Sequence, residues 1–158
     1  MLVDADVTNP AKLEPTARDA LTALLRGAGL RVTSPRLAVL DAVRHHPHAD
    51  AETLATSARE RLGSLSTQAV YDNLHALTAA GLLRRVEPAG SPARFETRVA
   101  DNHHHVVCRK CGATADVDCA VGATPCLTPS QTHGFILDEA EVTFWGVCPQ
   151  CQQPRSDA

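Results

Sequence analysis

Histidine and cysteine residues are concentrated in two short stretches of the C-terminal half of this sequence. Three consecutive histidines precede one C-x-x-C pair, and a second pair lies near the C-terminus; the seven residues are His103, His104, His105, Cys108, Cys111, Cys148 and Cys151. Imidazole and thiolate groups bind zinc and other metals of similar softness. Because each C-x-x-C pair can supply two corners of a tetrahedron, the four cysteines predict one structural Zn²⁺ site.

The alternatives for these four cysteines are two disulfides or four unreactive thiols. Disulfides are the weaker alternative, because the N-terminal stretch MLVDADVTNP is acidic and lacks the apolar region of a secretory signal. No run of apolar residues approaches the length of a membrane span. We therefore expect a cytoplasmic protein without a membrane partner, whose cysteines serve metal or redox chemistry.

Composition and charge limit the classes of function. The chain has 158 residues, enough for one ordinary domain or two small ones, and with only 3% aromatic residues its core must be mainly aliphatic. Net charge is −3 overall, but residues 31–98 hold nine Lys/Arg against seven Asp/Glu (+2), while residues 99–158 hold three against seven (−4). An excess of two positive charges is small compared with that of typical nucleic-acid-binding domains. Any DNA affinity should therefore depend on well-placed contacts or on an added cation.

The N-terminal half of the sequence predicts a mobile arm over residues 1–15 and then four helices. Their predicted ranges are 16–28, 34–45, 50–62 and 66–81. Ser34 followed by proline, Asp50 and Ser66 are candidate N-caps, because their side-chain oxygens can accept from free backbone N–H groups. In the fourth helix Val70, Leu74 and Leu77 recur at helical spacing, which predicts one buried face.

After Gly81 the apolar period changes to that of strands. Residues 82–88 and 93–98 alternate around a Pro- and Gly-containing turn, which predicts a β-hairpin. Helices followed by such a hairpin describe a winged-helix DNA-binding domain over residues 16–98, whose fourth helix would enter the major groove. Candidate base or phosphate contacts on this helix are Ser66, Thr67, Gln68 and Tyr71, and those on the wing are Arg84, Arg85 and Arg94. The alternative is that these arginines are ordinary solvated side chains.

Residues 99–158 predict a small α/β domain that also contains the metal motif. Strands are predicted over 105–108 and 114–118, a short helix over 129–133, and a longer strand-like stretch over 135–147. This half is too small to bury its own apolar residues, so we predict a strand-mediated homodimer. The fold class is thus α+β, with a dimerisation domain after the winged helix. A two-fold protein would match double-stranded DNA carrying an inverted-repeat operator.

The combination of these motifs resembles the ferric uptake regulator (Fur) family. The resemblance covers residues 16–151 and rests on the segments LRVTSPRLAVLDAV, TQAVYDNLHALTAAGL, SPARFET and DNHHHVVCRKCG and on the terminal W-G-x-C-x-x-C. Arg31, in the first of these segments, is a further candidate DNA contact. Asp72 departs from the family pattern, in which arginine is common at this position. The resemblance implies a metal-dependent, dimeric transcriptional repressor.

The resemblance also implies a regulatory metal site separate from the zinc cysteines. Its ligands would be His46, Glu96, His103, His105 and Asp116, with His48 an alternative to His46 because both flank Pro47. Three imidazoles and two carboxylates suit Fe²⁺ or Mn²⁺. The first two ligands belong to the winged helix and the others to the dimerisation half, so the metal would bridge the hinge and favour the DNA-binding state.

Within the family, Asp116 resembles the peroxide-responsive, catalase-linked actinobacterial branch, since iron-uptake regulators usually carry Glu there. This implies iron-catalysed oxidation of a ligand imidazole, at His46 or His103, followed by metal loss and derepression. The alternative is an iron, zinc or nickel uptake regulator. The spacing of Cys119 and Cys126 in DCAVGATPC resembles the same branch, so these residues could form a thiol switch or have no role.

Other classes of function are less consistent with the sequence. His104 and His133 could join a further metal site, although only part of a ligand set is evident. A zinc-dependent hydrolase would need a motif such as H-E-x-x-H or a nucleophile elbow, and neither occurs. A metal-storage module would not need a wing. We therefore expect a regulator and not an enzyme.

Overall fold

The computed structural model describes residues 15–120, 125–138 and 140–153, so the predicted N-terminal arm lies, apart from Pro15, outside the described residues. The chain divides into two compact units. The first runs to Glu87 and includes Pro92–Val99, and the second consists of Pro88–Ser91 and the residues from Ala100 onward. None of the helices found in the described ranges combines the length and apolar character needed to cross a bilayer.

Four helices form the first unit: α1 (Pro15–Gly27), α2 (Ser34–His45), α3 (Ala51–Leu62) and α4 (Thr67–Ala79). The predicted caps of α3 and α4 are confirmed, since Asp50 Oδ1 accepts from the N–H of Thr53 at 2.9 Å. Ser66 Oγ accepts from the N–H of Ala69 at 3.1 Å. The predicted cap of α2 was wrong by one residue: Thr33 caps it, and Ser34 is its first helical residue.

The core of the first unit is aliphatic, as the composition predicted. Its largest fully buried side chains include Leu21, Leu25, Leu40, Leu54, Leu74, Leu77, Val39, Val43 and Val70. The predicted buried face of α4 is thereby confirmed. Fully burying one such side chain stabilises the fold by about 1.5–3 kcal/mol. Since α4 is held in this way, its opposite face has a fixed orientation.

One carboxylate is buried beside this core and was not singled out from the sequence. Asp41 of α2 is completely buried and forms an ion pair with Arg61 of α3. Two further basic side chains lie near it, with Arg44 Nη1 at 3.7 Å and His45 Nδ1 at 3.4 Å. A buried charge is tolerated only when it is paired, so this pair connects α2 to α3.

A three-stranded antiparallel sheet completes the first unit. Its strands are β1 (Ala49–Asp50), β2 (Arg84–Val86) and β3 (Arg94–Glu96), in the order β1-β3-β2. The hairpin of β2 and β3 is the predicted wing, and its strands are shorter than predicted. The strand β1 was not predicted, because two residues give no periodic signal. It pairs Ala49 with Phe95 and so places the end of α2 next to β3.

The second unit contains a sheet of β4 (His103–Cys108), β5 (Thr114–Asp118) and β6 (Thr143–Gly146), in the order β5-β4-β6. β4 is antiparallel to β5, with His105 opposite Asp116, and parallel to β6. Side chains alternate between the faces of a strand. His103 and His105 therefore share one face with Asp116, and His104 lies on the other.

The second unit differs from the prediction after β5. Residues 129–133 are not helical, and the strand predicted over 135–147 is limited to β6. All five of these residues are exposed. A short helix that buries no apolar face gains too little free energy to offset the unfavourable nucleation of its first turn. A four-residue helix that was not predicted, α5 (Pro149–Gln152), lies within the second C-x-x-C pair. The fold is α+β, with a winged helix preceding a small α/β unit.

Candidate metal centres and nucleic-acid surface

The four predicted zinc cysteines lie together in the second unit. The Sγ atoms of Cys108, Cys111, Cys148 and Cys151 are all within 4.8 Å of one another. Each pair is held by a tight turn. Gly112, with a φ of +74°, donates its N–H to the carbonyl of Cys108 at 2.9 Å. Cys151 donates its N–H to the carbonyl of Cys148 at 3.0 Å. Glycine adopts this positive φ without strain.

Hydrogen bonds shift the pKa values of two of these thiols in opposite directions. Backbone N–H groups, that of Cys148 first and that of Cys111 second, lower the pKa of Cys108 to about 6. Hydrogen bonds to Cys111 and Cys148 raise the pKa of Cys151 to about 12. Several adjacent thiolates require a cation to be stable together. Four sulfur donors fit a closed, structural zinc site.

A histidine and a carboxylate form a buried pair in the first unit. His48 Nε2 lies 2.7 Å from Glu96 Oε2, and their side chains are 9% and 1% exposed. The backbone of His48 has a φ of +61°, a value that residues other than glycine rarely adopt. Its N–H donates to the carbonyl of Phe95 at 2.9 Å, and its carbonyl accepts from Arg94 Nη1 at 3.3 Å. These bonds hold the imidazole beside Glu96 in spite of the strain.

The predicted ligand His46 occupies a different position. It is exposed and caps the C-terminus of α2, where its N–H donates to the carbonyl of Ala42 at 2.9 Å. Of the two histidines flanking Pro47, the structure therefore places the alternative, His48, next to the predicted ligand Glu96. A left-handed turn after Pro47 places His48 there, and such a turn leaves no periodic pattern in the sequence.

The other three predicted regulatory ligands meet on one face of the second unit's sheet. His105 Nε2 lies 3.6 Å and His103 Nε2 3.9 Å from Asp116 Oδ1. Both imidazoles are buried, and their rings meet edge to face with centroids 4.9 Å apart. The Nδ1 of His103 is 2.7 Å from Asp101 Oδ1, a contact that the sequence analysis missed. A carboxylate on the far nitrogen directs Nε2 of His103 toward a metal.

The donor atoms in these two groups are nitrogen and oxygen, without sulfur. Carboxylate and imidazole ligands suit Fe²⁺ and Mn²⁺, whereas thiolates select softer ions. The donor set of each unit therefore fits the regulatory metal that the sequence implies, and differs in kind from the four-cysteine cluster.

The opposite face of the same sheet contains a different group. His104 lies with Cys119 and Cys126, and their donor atoms are all within 4.8 Å of one another. His133, the predicted companion of His104, is exposed and outside this group. Burial and a hydrogen bond to Cys119 raise the pKa of the Cys126 thiol. Reactive cysteines usually have a lowered pKa, whereas the pKa of Cys126 is raised.

The predicted DNA contacts on α4 are all exposed, but most already have a local partner. Ser66 caps the helix, and Thr67 Oγ1 accepts from Arg59 Nη2 at 2.9 Å. Gln68 Nε2 donates to Asp72 Oδ1 at 2.7 Å and so satisfies one acceptor oxygen of the acidic residue that departs from the family pattern. Tyr71 is 52% exposed, so α4 presents a large aromatic side chain to solvent.

The four predicted arginine contacts are in different environments. Arg85 is exposed and pairs with Glu87 at 2.9 Å. Arg94 holds the backbone of His48, as described above, so it has a structural role whether or not it meets a phosphate. Arg31 is exposed, and its carbonyl accepts from Arg36 Nη1 at 2.8 Å. Arg84 is half-buried on β2.

Comparison with known proteins identifies relatives over most of the chain. The model of the ferric uptake regulator family matches residues 27–144. The transcriptional regulator FurA of Mycobacterium tuberculosis is 65% identical over 127 residues, which are 80% of this chain and 86% of that protein. Ferric uptake regulation protein 1 of Mycolicibacterium fortuitum is 63% identical over 124 residues, 78% of this chain and 77% of that protein.

Solved structures show the same fold. A zinc uptake regulator complexed with zinc and DNA superposes with a TM-score of 0.62 at 22% sequence identity. The match covers 87% of this chain and 96% of that one. The α+β fold with a winged helix is therefore shared with that regulator.

Proposed function

The chain belongs to the ferric uptake regulator family of metal-responsive transcriptional regulators, and we propose that it is a repressor that senses peroxide through bound Fe²⁺, or Mn²⁺ in its place. Proteins of this family are regulators and not enzymes. The observation that favours the proposal is the sulfur-free donor set: His48 with Glu96, and His103 with His105 and Asp116. We propose that these five residues serve one regulatory metal, while the four cysteines hold structural Zn²⁺.

DNA is the partner that the first unit suits. The related zinc uptake regulator forms a complex with DNA, and the exposed face of α4 here offers Tyr71 and the amide of Gln68. The mild charge of residues 31–98 gives little general attraction for phosphates. A bound divalent cation that favours the DNA-binding state would therefore decide affinity. Because the proposed partner is DNA, we place the protein in the cytoplasm.

A homodimer would cover the apolar side chains that the second unit leaves exposed. Phe135 is 74% exposed and Ile136 98% exposed, while Phe144 at 49% lies on the edge strand β6. Exposed apolar groups of this kind mark protein contacts. A two-fold dimer would present two α4 helices to the two halves of an inverted-repeat operator.

The peroxide response would lie in the ligand imidazoles. Fe²⁺ held by these residues would activate hydrogen peroxide for a two-electron oxidation of a neighbouring imidazole. His103 and His48 are buried next to carboxylates, so their rings are held where such oxidation would occur. In the net change one ring C–H becomes C–OH, and hydrogen peroxide is reduced to water. An oxidised imidazole is a poorer ligand, so metal would leave and the target genes, of the catalase type, would be expressed.

A mobility-shift titration on the DNA upstream of the protein's own gene tests this proposal. The reduced, zinc-loaded protein should shift the DNA only when Fe²⁺ or Mn²⁺ is added. Brief peroxide should abolish the shift with Fe²⁺ but not with Mn²⁺, and peptide mass spectrometry should find one added oxygen on His103 or His48. A DNA complex that needs no metal would overturn the metal switch.

The alternative within the family is a metal-uptake regulator. Glu96, where peroxide sensors often have Asp, and the similarity to a protein named for ferric uptake regulation favour it. In that case the Fe²⁺ complex with DNA would persist after peroxide, and neither histidine would gain oxygen. The response to Zn²⁺ or Ni²⁺ in the same assay would then identify the metal.

A further inference from the structure

His104 and two cysteines form a third group of metal donors in the second unit. His104 points away from His103 and His105, because side chains alternate along β4. The N–H of Cys119 donates to the carbonyl of Asn102 at 3.3 Å, which extends the β4–β5 pairing by one step. Cys119 therefore falls on the same face of the sheet as His104.

Cys126 completes the group from the next part of the chain. Its Sγ lies 3.2 Å from His104 Nε2, and the three donor atoms are all within 4.8 Å of one another. His104 is only 5% exposed, and its Nδ1 has no hydrogen-bond partner among the residues that the structure describes. Of the two ring nitrogens of His104, Nε2 is therefore the one that faces the Cys126 thiol, and Nδ1 points away from it.

We propose that His104, Cys119 and Cys126 bind a divalent metal ion of the zinc type, at a site distinct from the four cysteines and from the proposed regulatory ligands. Two thiolates and a neutral imidazole balance a 2+ charge, so the occupied site is neutral and its burial carries little penalty. Two sulfurs and one nitrogen select zinc over Fe²⁺ or Mn²⁺.

The spacing of the donors suits such an ion. At a Zn–S distance of about 2.3 Å and a Zn–N distance of about 2.0 Å, tetrahedral donors lie roughly 3.5–3.8 Å apart. Donors that already lie within 4.8 Å of one another would need to move by about 1 Å or less. Three protein ligands leave a fourth position for water or a small ligand. Binding would tie both Cys119 and Cys126 to β4.

Cobalt titration of the reduced, zinc-loaded full-length protein tests this site. Co²⁺ bound by thiolate gives a near-ultraviolet charge-transfer band that Co²⁺ bound by nitrogen and oxygen lacks. The wild type should develop this band to one equivalent per chain while retaining its structural zinc, and added Zn²⁺ should remove the band. Cys119→Ser and Cys126→Ser should each lose it.

Two controls separate this site from its neighbours. His103→Ala, which alters the proposed regulatory ligands, should keep the band, and His133→Ala should keep it as a matched histidine variant. A band that survives in the Cys119→Ser/Cys126→Ser double variant would come from displaced structural zinc and would overturn the proposal. So would a wild type that gives no band and whose mass, measured without reductant, is lower by the two hydrogens of a disulfide. Neither result bears on DNA binding.

Discussion

His48 Nε2 lies 2.7 Å from Glu96 Oε2, across 48 positions of the sequence, and both side chains are almost completely buried. The pair depends on a strained backbone, since His48 has a φ of +61° and its peptide groups are bonded to Phe95 and Arg94. Strain of this kind persists only where the surroundings enforce it, and it is concentrated at functional sites. The wing therefore fixes the position of His48, the proposed ligand that follows the end of α2.

The two histidines around Pro47 should differ sharply in function. His48→Ala should lower the affinity of the protein for Mn²⁺ by at least about 10-fold and abolish Mn²⁺-dependent DNA binding, because it removes a donor beside Glu96. His46→Ala is the matched control and should bind DNA like the wild type, since its side chain is exposed. Fluorescence anisotropy of a labelled operator against Mn²⁺ measures both variants. Loss in His46→Ala with retention in His48→Ala would reverse the assignment.

Much of the site could be predicted from the sequence, because ligand identity depends on residue type and short spacing. The four cysteines followed from C-x-x-C spacing, whereas His103, His105 and Asp116 were implied by the resemblance to the family. Contacts made by irregular backbone could not be predicted. His48 is placed by a left-handed turn and by the two-residue strand β1, and Asp101 by the bend before β4. Neither gives a periodic signal.

Loss of zinc should unfold the second unit, whereas loss of a regulatory ligand should not. Trp145 of β6 is the single tryptophan of the chain, and Arg109 lies over its ring at 5.1 Å. In Cys111→Ser we expect zinc loss and a Trp145 emission like that of unfolded protein, because structural zinc supplies folding free energy. His103→Ala should keep zinc and native emission but lose Mn²⁺-dependent DNA binding. Equal folding of both variants would contradict this division.

The ion pair between Asp41 and Arg61 should contribute to the stability of the first unit. Arg61→Met would leave the buried carboxylate of Asp41 with only Arg44 and His45 nearby. Removing one partner of a buried pair typically costs about 3–5 kcal/mol. Because Arg44 and His45 remain near the carboxylate and Arg61 is partly exposed, we expect a loss of roughly 2 kcal/mol in the free energy of unfolding. Urea denaturation followed by circular dichroism measures this loss.

The matched control is Arg85→Met. This variant removes an exposed ion pair with Glu87 and should change the free energy of unfolding by less than about 0.5 kcal/mol.

The N-cap of α3 should make stability depend on pH in a defined direction. The N–H of Thr53 lowers the pKa of Asp50 below its ordinary value of 3.8, with a smaller contribution from Arg94. A carboxyl whose pKa is lower in the folded state stabilises the fold above its unfolded pKa and loses this effect as pH falls through the folded pKa.

Asp50→Ala should therefore lower stability at pH 7 by about 1 kcal/mol, the usual cost of a lost cap. Asp50→Asn keeps the capping oxygen without the charge, so it should lose only about 0.3–1 kcal/mol, the helix-dipole contribution. The difference between wild type and Asp50→Asn should be constant from pH 5 to 7 and shrink below pH 3.8. Since zinc release at low pH affects both proteins alike, comparing them at each pH by urea denaturation isolates Asp50. A difference that grows on acidification would show that the carboxylate is not stabilised by the cap.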